Sequence, residues 1–199
     1  TQKWTLFPYT TLFRSSRARA GARARARAVG APRRLRLGGM EVSEACLGTM
    51  TFGEQNSEAE ARALMDAAWE RGVNFLDTAE IYPVKPARET QGRTSTFIGR
   101  WLSGRPRDAV VVASKVAGRS TGLEWVPANR AEPRGEESHP VLDAASIRAA
   151  AEAELRRLRT DYIDLLQLHW PDRYQPNFGA NQYRDRKSTR LNSSHLLIS

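Results

Sequence analysis

The sequence predicts an α/β fold built on a parallel sheet, and three observations carry that expectation. Strand-like and helix-like segments alternate from Arg34 to about Arg186. The run Ala109-Val-Val-Val-Ala-Ser-Lys115 is apolar almost throughout, as a strand covered on both faces must be. The strand-like runs also end in short polar stretches, and in parallel βα folds the chemistry lies at the carboxyl ends of the strands.

The elements follow in order. Val42-Ser-Glu-Ala-Cys-Leu47 reads as a first strand, running out into Gly48-Thr-Met-Thr-Phe-Gly53. Ser57-Glu-Ala-Glu60 is a capping box, in which the serine hydroxyl accepts the Glu60 amide and the Glu60 carboxylate reaches back. The helix it opens sets Leu64, Met65, Ala68 and Trp69 on one face and stops at Gly72. Val73 to Asp77 is a second strand. A loop with Pro83 and Pro86 leads to a second helix marked by Phe97, Ile98, Trp101 and Leu102 and ended by Gly104 and Pro106. Ala109 to Lys115 is the third strand. A loop over 118–142, rich in Gly, Pro and charge, precedes a third helix with Asp143 as N-cap. That helix runs through Arg159 with Ile147, Ala150, Ala151, Leu155 and Leu158 facing inward. Tyr162 to Leu168 is the fourth strand, ending at His169-Trp170-Pro171. The order is βαβαβαβ, which implies right-handed crossovers.

At 199 residues the chain is long enough for one core, and for two only if they are small. Its 40% hydrophobic and 27% charged residues are ordinary for a globular protein. No apolar run approaches the roughly 18 residues of a membrane span, so no membrane association is expected. The single cysteine, Cys46, excludes an intrachain disulfide and argues against a thiolate metal site. Cysteine usage fits a reducing compartment, and a cytoplasmic location is expected. The net charge of +9 belongs to the ends: residues 1–40 carry ten Lys/Arg and no acid, and 187–199 carry two and none. The stretch 41–186 has nineteen basic and twenty-two acidic residues, a net charge of −3. A basic-arm nucleic-acid binder resting on residues 14–36 therefore stays an alternative, and no specific nucleic-acid partner is expected.

Residues 16–28 alternate Arg with Ala and cannot offset their own ordering by burial, so 1–33 reads as a disordered basic tail. Thr5 to Ser15 and Lys187 to Ser199 resemble translated sequencing-adapter read-through, and neither these tails nor His195 is assigned a role.

Asp77 closes the second strand and Tyr82 follows five residues later. Lys115 closes the third strand and His169 follows the fourth. Singly, each has a structural explanation: a turn-forming Asp, a packing Tyr, a solvated Lys, a hydrogen-bonded surface His. Together, four reactive side chains meet at three successive strand mouths of an otherwise apolar sheet. A free tyrosine ionises near pH 10, and a nearby ammonium favours its phenolate. A carboxylate beside the ammonium holds it in place. A neutral imidazole fixes the direction of a carbonyl oxygen by donating to it. This is a proton donor aimed at an oxygen that gains negative charge, which carbonyl reduction requires. The hydride must come from a nicotinamide cofactor.

These residues sit in Phe75-Leu-Asp-Thr-Ala79, Glu80-Ile-Tyr82, Ala113-Ser-Lys-Val116 and Leu166-Gln-Leu-His-Trp170. With Cys46-Leu-Gly-Thr-Met-Thr-Phe-Gly53, that pattern resembles the aldo-keto reductases, and its Tyr82–Gly92 and Asp161–Pro171 stretches look most like the Tas-like branch. The resemblance covers about Arg34–Arg186. It implies a (β/α)8 TIM-barrel type fold, present as a truncated half-barrel of about four βα units. It implies an NADPH-dependent reductase of aldehydes and ketones, with Asp77, Tyr82, Lys115 and His169 as its catalytic tetrad. Gly48, Thr49 and Met50 would line the nicotinamide end of the cofactor site. Trp170 would form the apolar wall for a small-molecule carbonyl substrate, or equally cover the barrel rim.

The family's grip on the cofactor's pyrophosphate and 2′-phosphate lies near its last strands, and Arg93, Arg119 and Arg173 read instead as solvated loop charges. Open edges on strands one and four predict self-association, weak NADPH binding and little activity for the chain as written. A different barrel enzyme, an aldolase with Lys115 as Schiff-base nucleophile, is the enzymatic alternative. Substrate identity and oligomeric state are not legible in the sequence.

Overall fold

The computed structural model describes residues 30–172 apart from 121, together with two short strands at 4–7 and 11–14. Four strands form its parallel core: β5 (Leu47–Gly48), β6 (Phe75–Asp77), β7 (Val111–Val116) and β8 (Leu165–Leu168). They pair in that order, with Gly48 opposite Asp77, Asp77 opposite Ala113, and Lys115 opposite Gln167. Each crossover carries a helix: α1 (Glu58–Glu70), α2 (Arg93–Leu102) and α4 (Ala144–Leu158). A short helix, α3 (Trp125–Ala128), lies within the long loop before α4.

The local signals act as the sequence implies. Ser57 caps α1 in a complete capping box with Glu60, and Asp143 caps α4 by accepting the Ser146 amide at 2.7 Å. In β7, five of six residues are buried and Lys115 is partly so. The apolar core joins Met65, Leu76, Ile98, Trp101, Val112, Leu158 and Ile163 across both layers.

Three details differ. The expected first strand splits at its middle. Met40–Ser43 (β4) pairs antiparallel with Arg34–Leu37 (β3) as a separate hairpin, and only Leu47–Gly48 joins the sheet. Asn74 ties the hairpin to the sheet by accepting the Ser43 amide at 2.7 Å and donating to the Glu41 carbonyl. In α1, Leu64 points outward and is 47% exposed, while Ala61 and Met65 are buried. Of the inward residues read from the sequence, Met65 is buried and Trp69 packs on the core, so Leu64 is the one that departs and Ala61 takes its place. Trp4–Phe7 (β1) and Thr11–Arg14 (β2) are strands within the tail read as disordered, and β2 pairs antiparallel with β8. The edge expected to lie open on strand four is therefore covered; the rest of 1–29 lies outside the described residues.

The amino ends of the strands are held by Arg107. Its guanidinium binds Asp164 at 2.7 Å and the Tyr162 carbonyl at 3.0 Å, and Asp164 accepts the Val112 amide at 3.0 Å. The α2–α4 packing depends on the bare backbone of Gly99, since a Cβ there would lie 2.2 Å from the Arg157 carbonyl oxygen. Backbone cannot swing aside as a flexible side chain does. Gly99→Ala is expected to cost about 1–3 kcal/mol of stability through overpacking. An unchanged urea midpoint and slope would rule that out.

Candidate active site

All four tetrad candidates meet at the carboxyl end of the sheet. The loop after β6 is fixed first. The Thr78 amide donates to the Ala113 carbonyl at 2.9 Å and the Glu80 amide to the Lys115 carbonyl at 3.1 Å, so β6 and β7 stay zipped past the formal strand end. The Tyr82 amide then turns back to Ala79, and the Tyr82 carbonyl accepts from Gly92 at 2.8 Å. This holds the Tyr82 ring in a buried position, 8% exposed.

The Lys115 ammonium is the hub. It binds Asp77 Oδ2 at 2.6 Å and the Thr78 carbonyl at 2.9 Å, and it lies 3.4 Å from the Tyr82 hydroxyl. Three donors thus meet three acceptors, and none of the ammonium's hydrogen-bonding capacity is left over. The His169 amide donates to the Val116 carbonyl at 2.8 Å, which places the imidazole beside Tyr82, edge to face, with ring centroids 5.8 Å apart. Burial, and secondarily the Lys115 charge, pushes His169 down to about 4. At neutral pH the ring is uncharged and able to donate one hydrogen bond. Its Nδ1 is buried and has no partner among the described residues.

The shift on His169 couples to stability. The unfolded chain takes up a proton near pH 6.5 and the folded one only near 4, so stability falls as pH drops through that window. His169→Gln is expected to flatten the loss between pH 7 and pH 4 in urea unfolding. An equally steep loss in the variant would contradict this.

The three residues named for the cofactor side differ in what they offer. Gly48 pairs with Asp77 and leaves open space where a Cβ would stand. Met50 is half exposed, and its carbonyl accepts the Val84 amide at 2.8 Å. Thr49 is fully buried, with its hydroxyl engaged to the Asp77 carbonyl at 2.7 Å, so it holds the strand end beside the carboxylate. Trp170 stacks at a tilt on His169, centroids 4.7 Å apart, and donates its indole N–H to the Arg119 carbonyl at 3.0 Å. It packs on the apolar cluster of Ala79, Ile81, Tyr82, Ala117, Leu123 and Val126. Gly118 admits it, since a Cβ there would lie 2.6 Å from the Trp170 carbonyl oxygen. Of the basic residues read as solvated, Arg119 is exposed and Arg173 lies outside the described residues. Arg93 is exposed too, but it begins α2 rather than lying in the loop, and it donates to the Gly53 carbonyl at 2.8 Å.

Two buried carboxylates behind the site are absent from the sequence reading. Glu80 is fully buried and receives both arms of Arg130 at 2.9 Å, together with the Ala117 amide at 2.6 Å. Glu154 is fully buried in α4 and receives Ser95, Ser114 and Arg157. A signal for Glu154 was present. It lies four residues after Ala150 and four before Leu158, on the inward helical stripe. Glu80 stands between apolar Ala79 and Ile81, but nothing in the sequence points to Arg130, fifty residues on.

Comparison with known proteins identifies the family. The profile described as the Aldo/keto reductase family matches residues 44–192. The Tas protein of Escherichia coli is 47% identical over 145 residues, covering 72% of this chain and 39% of that protein. A norsolorinic acid reductase of Emericella nidulans is 40% identical over 147 residues, covering 68% and 34%. Among solved structures, a holo-form aldo-keto reductase of Bacillus halodurans superposes with a TM-score of 0.51 at 34% identity, covering 69% of this chain and 40% of that one. The chain thus spans about two fifths of the length of these relatives. Its βα units are those of the family's (β/α)8 barrel, and the chain belongs to the aldo/keto reductase family of oxidoreductases.

Proposed function

We propose that these four βα units carry the proton-transfer half of an NADPH-dependent reductase of small aldehydes or ketones. The observation that supports this most is the Lys115 ammonium, held at once by Asp77 and Thr78 and lying 3.4 Å from the Tyr82 hydroxyl. Tyr82 gives its proton to the carbonyl oxygen of the substrate. The adjacent ammonium favours the negative charge left on the phenol oxygen, and Asp77 keeps that ammonium in register. His169, neutral at working pH, donates to the same carbonyl oxygen and sets its direction. The His169 and Trp170 rings, with Val84 and Leu123 nearby, form an apolar wall that excludes water from the reacting carbonyl.

The nicotinamide end of the cofactor fits the open strand end at Gly48, next to Asp77, with Met50 at its rim. When bound it supplies the hydride. The family's phosphate-binding residues belong to later barrel strands, so the chain alone is expected to hold NADPH weakly. The aldolase reading of Lys115 is disfavoured by the same contacts: an ammonium committed to Asp77 and Thr78 is poorly placed as a free amine nucleophile.

The test follows NADPH oxidation with small aldehydes, by the chain and by the chain extended along its coding sequence. The extended protein is expected to turn over and the shorter chain to lag far behind. If neither oxidises NADPH, and borohydride traps substrate on Lys115, the reductase reading is lost.

A further inference from the structure

We propose that Glu154 is a positioning residue for the Asp77–Lys115 pair, acting from the opposite face of the same two strand ends. This rests on the reductase reading for its catalytic meaning, but its geometry stands apart from it.

Side chains alternate across a strand, so neighbours point to opposite faces. Asp77 and Lys115 face the site. Thr78 and Ser114, their immediate neighbours, face the helical layer and are fully buried. Glu154 meets both. Its Oε2 accepts the Ser114 hydroxyl at 2.7 Å and the Ser95 hydroxyl at 2.8 Å. Ser95 is itself 3.0 Å from the Thr78 hydroxyl. A serine hydroxyl has one proton, and that of Ser95 is spent on Glu154, so Thr78 must donate to Ser95. The chain of donation runs Thr78 to Ser95 to Glu154, with Ser114 joining from β7. Oε1 is held by Arg157 at 3.1 Å, and Arg157 also donates to the Asn129 carbonyl at 2.9 Å.

The carboxylate thus clamps the end of β6, the start of α2 and the middle of β7 to α4. It fixes the outward halves of two dipeptides whose inward halves are the ion pair. The Thr78 residue takes part on both sides: its hydroxyl belongs to the clamp, and its carbonyl is one of the three Lys115 contacts. If only packing were needed here, an apolar residue on the inward stripe of α4 would supply it without three buried hydroxyls to satisfy.

Glu154→Gln is the discriminating change. Its amide keeps the volume and one acceptor oxygen. Whichever way it turns, an N–H then faces either the two hydroxyl donors or Arg157. Ser114→Ala removes a single donor and serves as the milder variant, and Glu152→Gln, exposed on the same helix, is the control.

The primary readout is the Lys115 ammonium in 1H–15N spectra of the full chain, assigned by its loss in Lys115→Arg. An ammonium held in three bonds exchanges slowly and is visible. Glu154→Gln is expected to shift or broaden that signal beyond detection while most backbone amides stay in place. Ser114→Ala should move it in the same direction by less, and Glu152→Gln should leave it alone. The second readout is aldehyde reduction by the extended protein, where misplacing the ion pair should lower kcat about 10- to 100-fold with little change in KM. An unmoved Lys115 signal in both Glu154→Gln and Ser114→Ala overturns the proposal, even if stability falls, because the role is then only structural. A moved signal in a protein that reduces no aldehyde upholds the positioning and defeats the reductase reading instead.

Discussion

Arg130→Met is expected to cost the chain about 3–5 kcal/mol of folding free energy, because it strands the Glu80 carboxylate without its partner. Glu80 is fully buried and Arg130 only 6% exposed, so solvent cannot take over the charge. The two guanidinium contacts at 2.9 Å are parallel and bidentate, the strong form of this pair. The loss reaches the site, since Glu80 also fixes the Ala117 amide and lies two residues before Tyr82. The double variant Glu80→Gln with Arg130→Met should recover part of the loss. Glutamine still offers an acceptor to Ala117 and brings no charge. Urea unfolding of the two variants decides the matter: a double variant no more stable than the single one would show that the stranded charge is not the cause.

On the proposed reductase reading, Tyr82→Phe in the protein extended along its coding sequence should reduce carbonyl turnover by a factor of about 10² to 10⁴, the range for losing a positioned general acid. The ring stays, so its packing against Ile81, Ala117 and Val126 and its edge contact with His169 persist. Only the hydroxyl 3.4 Å from Lys115 is removed. Stability and NADPH affinity are expected to change little, while kcat collapses. Activity within a few-fold of the parent would transfer the acid role to another group.

Much of the fold was legible because its signals are local. The capping box at Ser57, the Asp143 cap and the apolar run of β7 each depend on residues adjacent in sequence, and each stands where the sequence places it. The meeting of the four candidate residues at one end of the sheet was legible for a related reason. Strand order puts Asp77, Lys115 and His169 at one end of the sheet whatever the side chains do. The errors were also physical. The stretch Val42–Leu47 reads as one strand between apolar ends, but the tie from Asn74 to Ser43 fixes part of it as a hairpin, a contact between residues thirty-one apart. Leu64 reads as core by periodicity, yet it is the smaller Ala61 that is buried beside Met65, because the surface the helix packs on, and not its own period, sets which edge of the stripe is covered.

The sequence by itself determined the order of βα units and the chemical types at the strand ends, because both follow from local propensity and from the fixed polarity of a parallel sheet. Only the tertiary structure decided how those groups are held. Lys115 is committed to three partners, Thr49 is turned to the Asp77 carbonyl, Glu80 is buried against Arg130, and Glu154 against the hydroxyls of Ser95 and Ser114. A buried charge is tolerable only where partners converge on it from several elements, and that convergence exists only once the chain has folded.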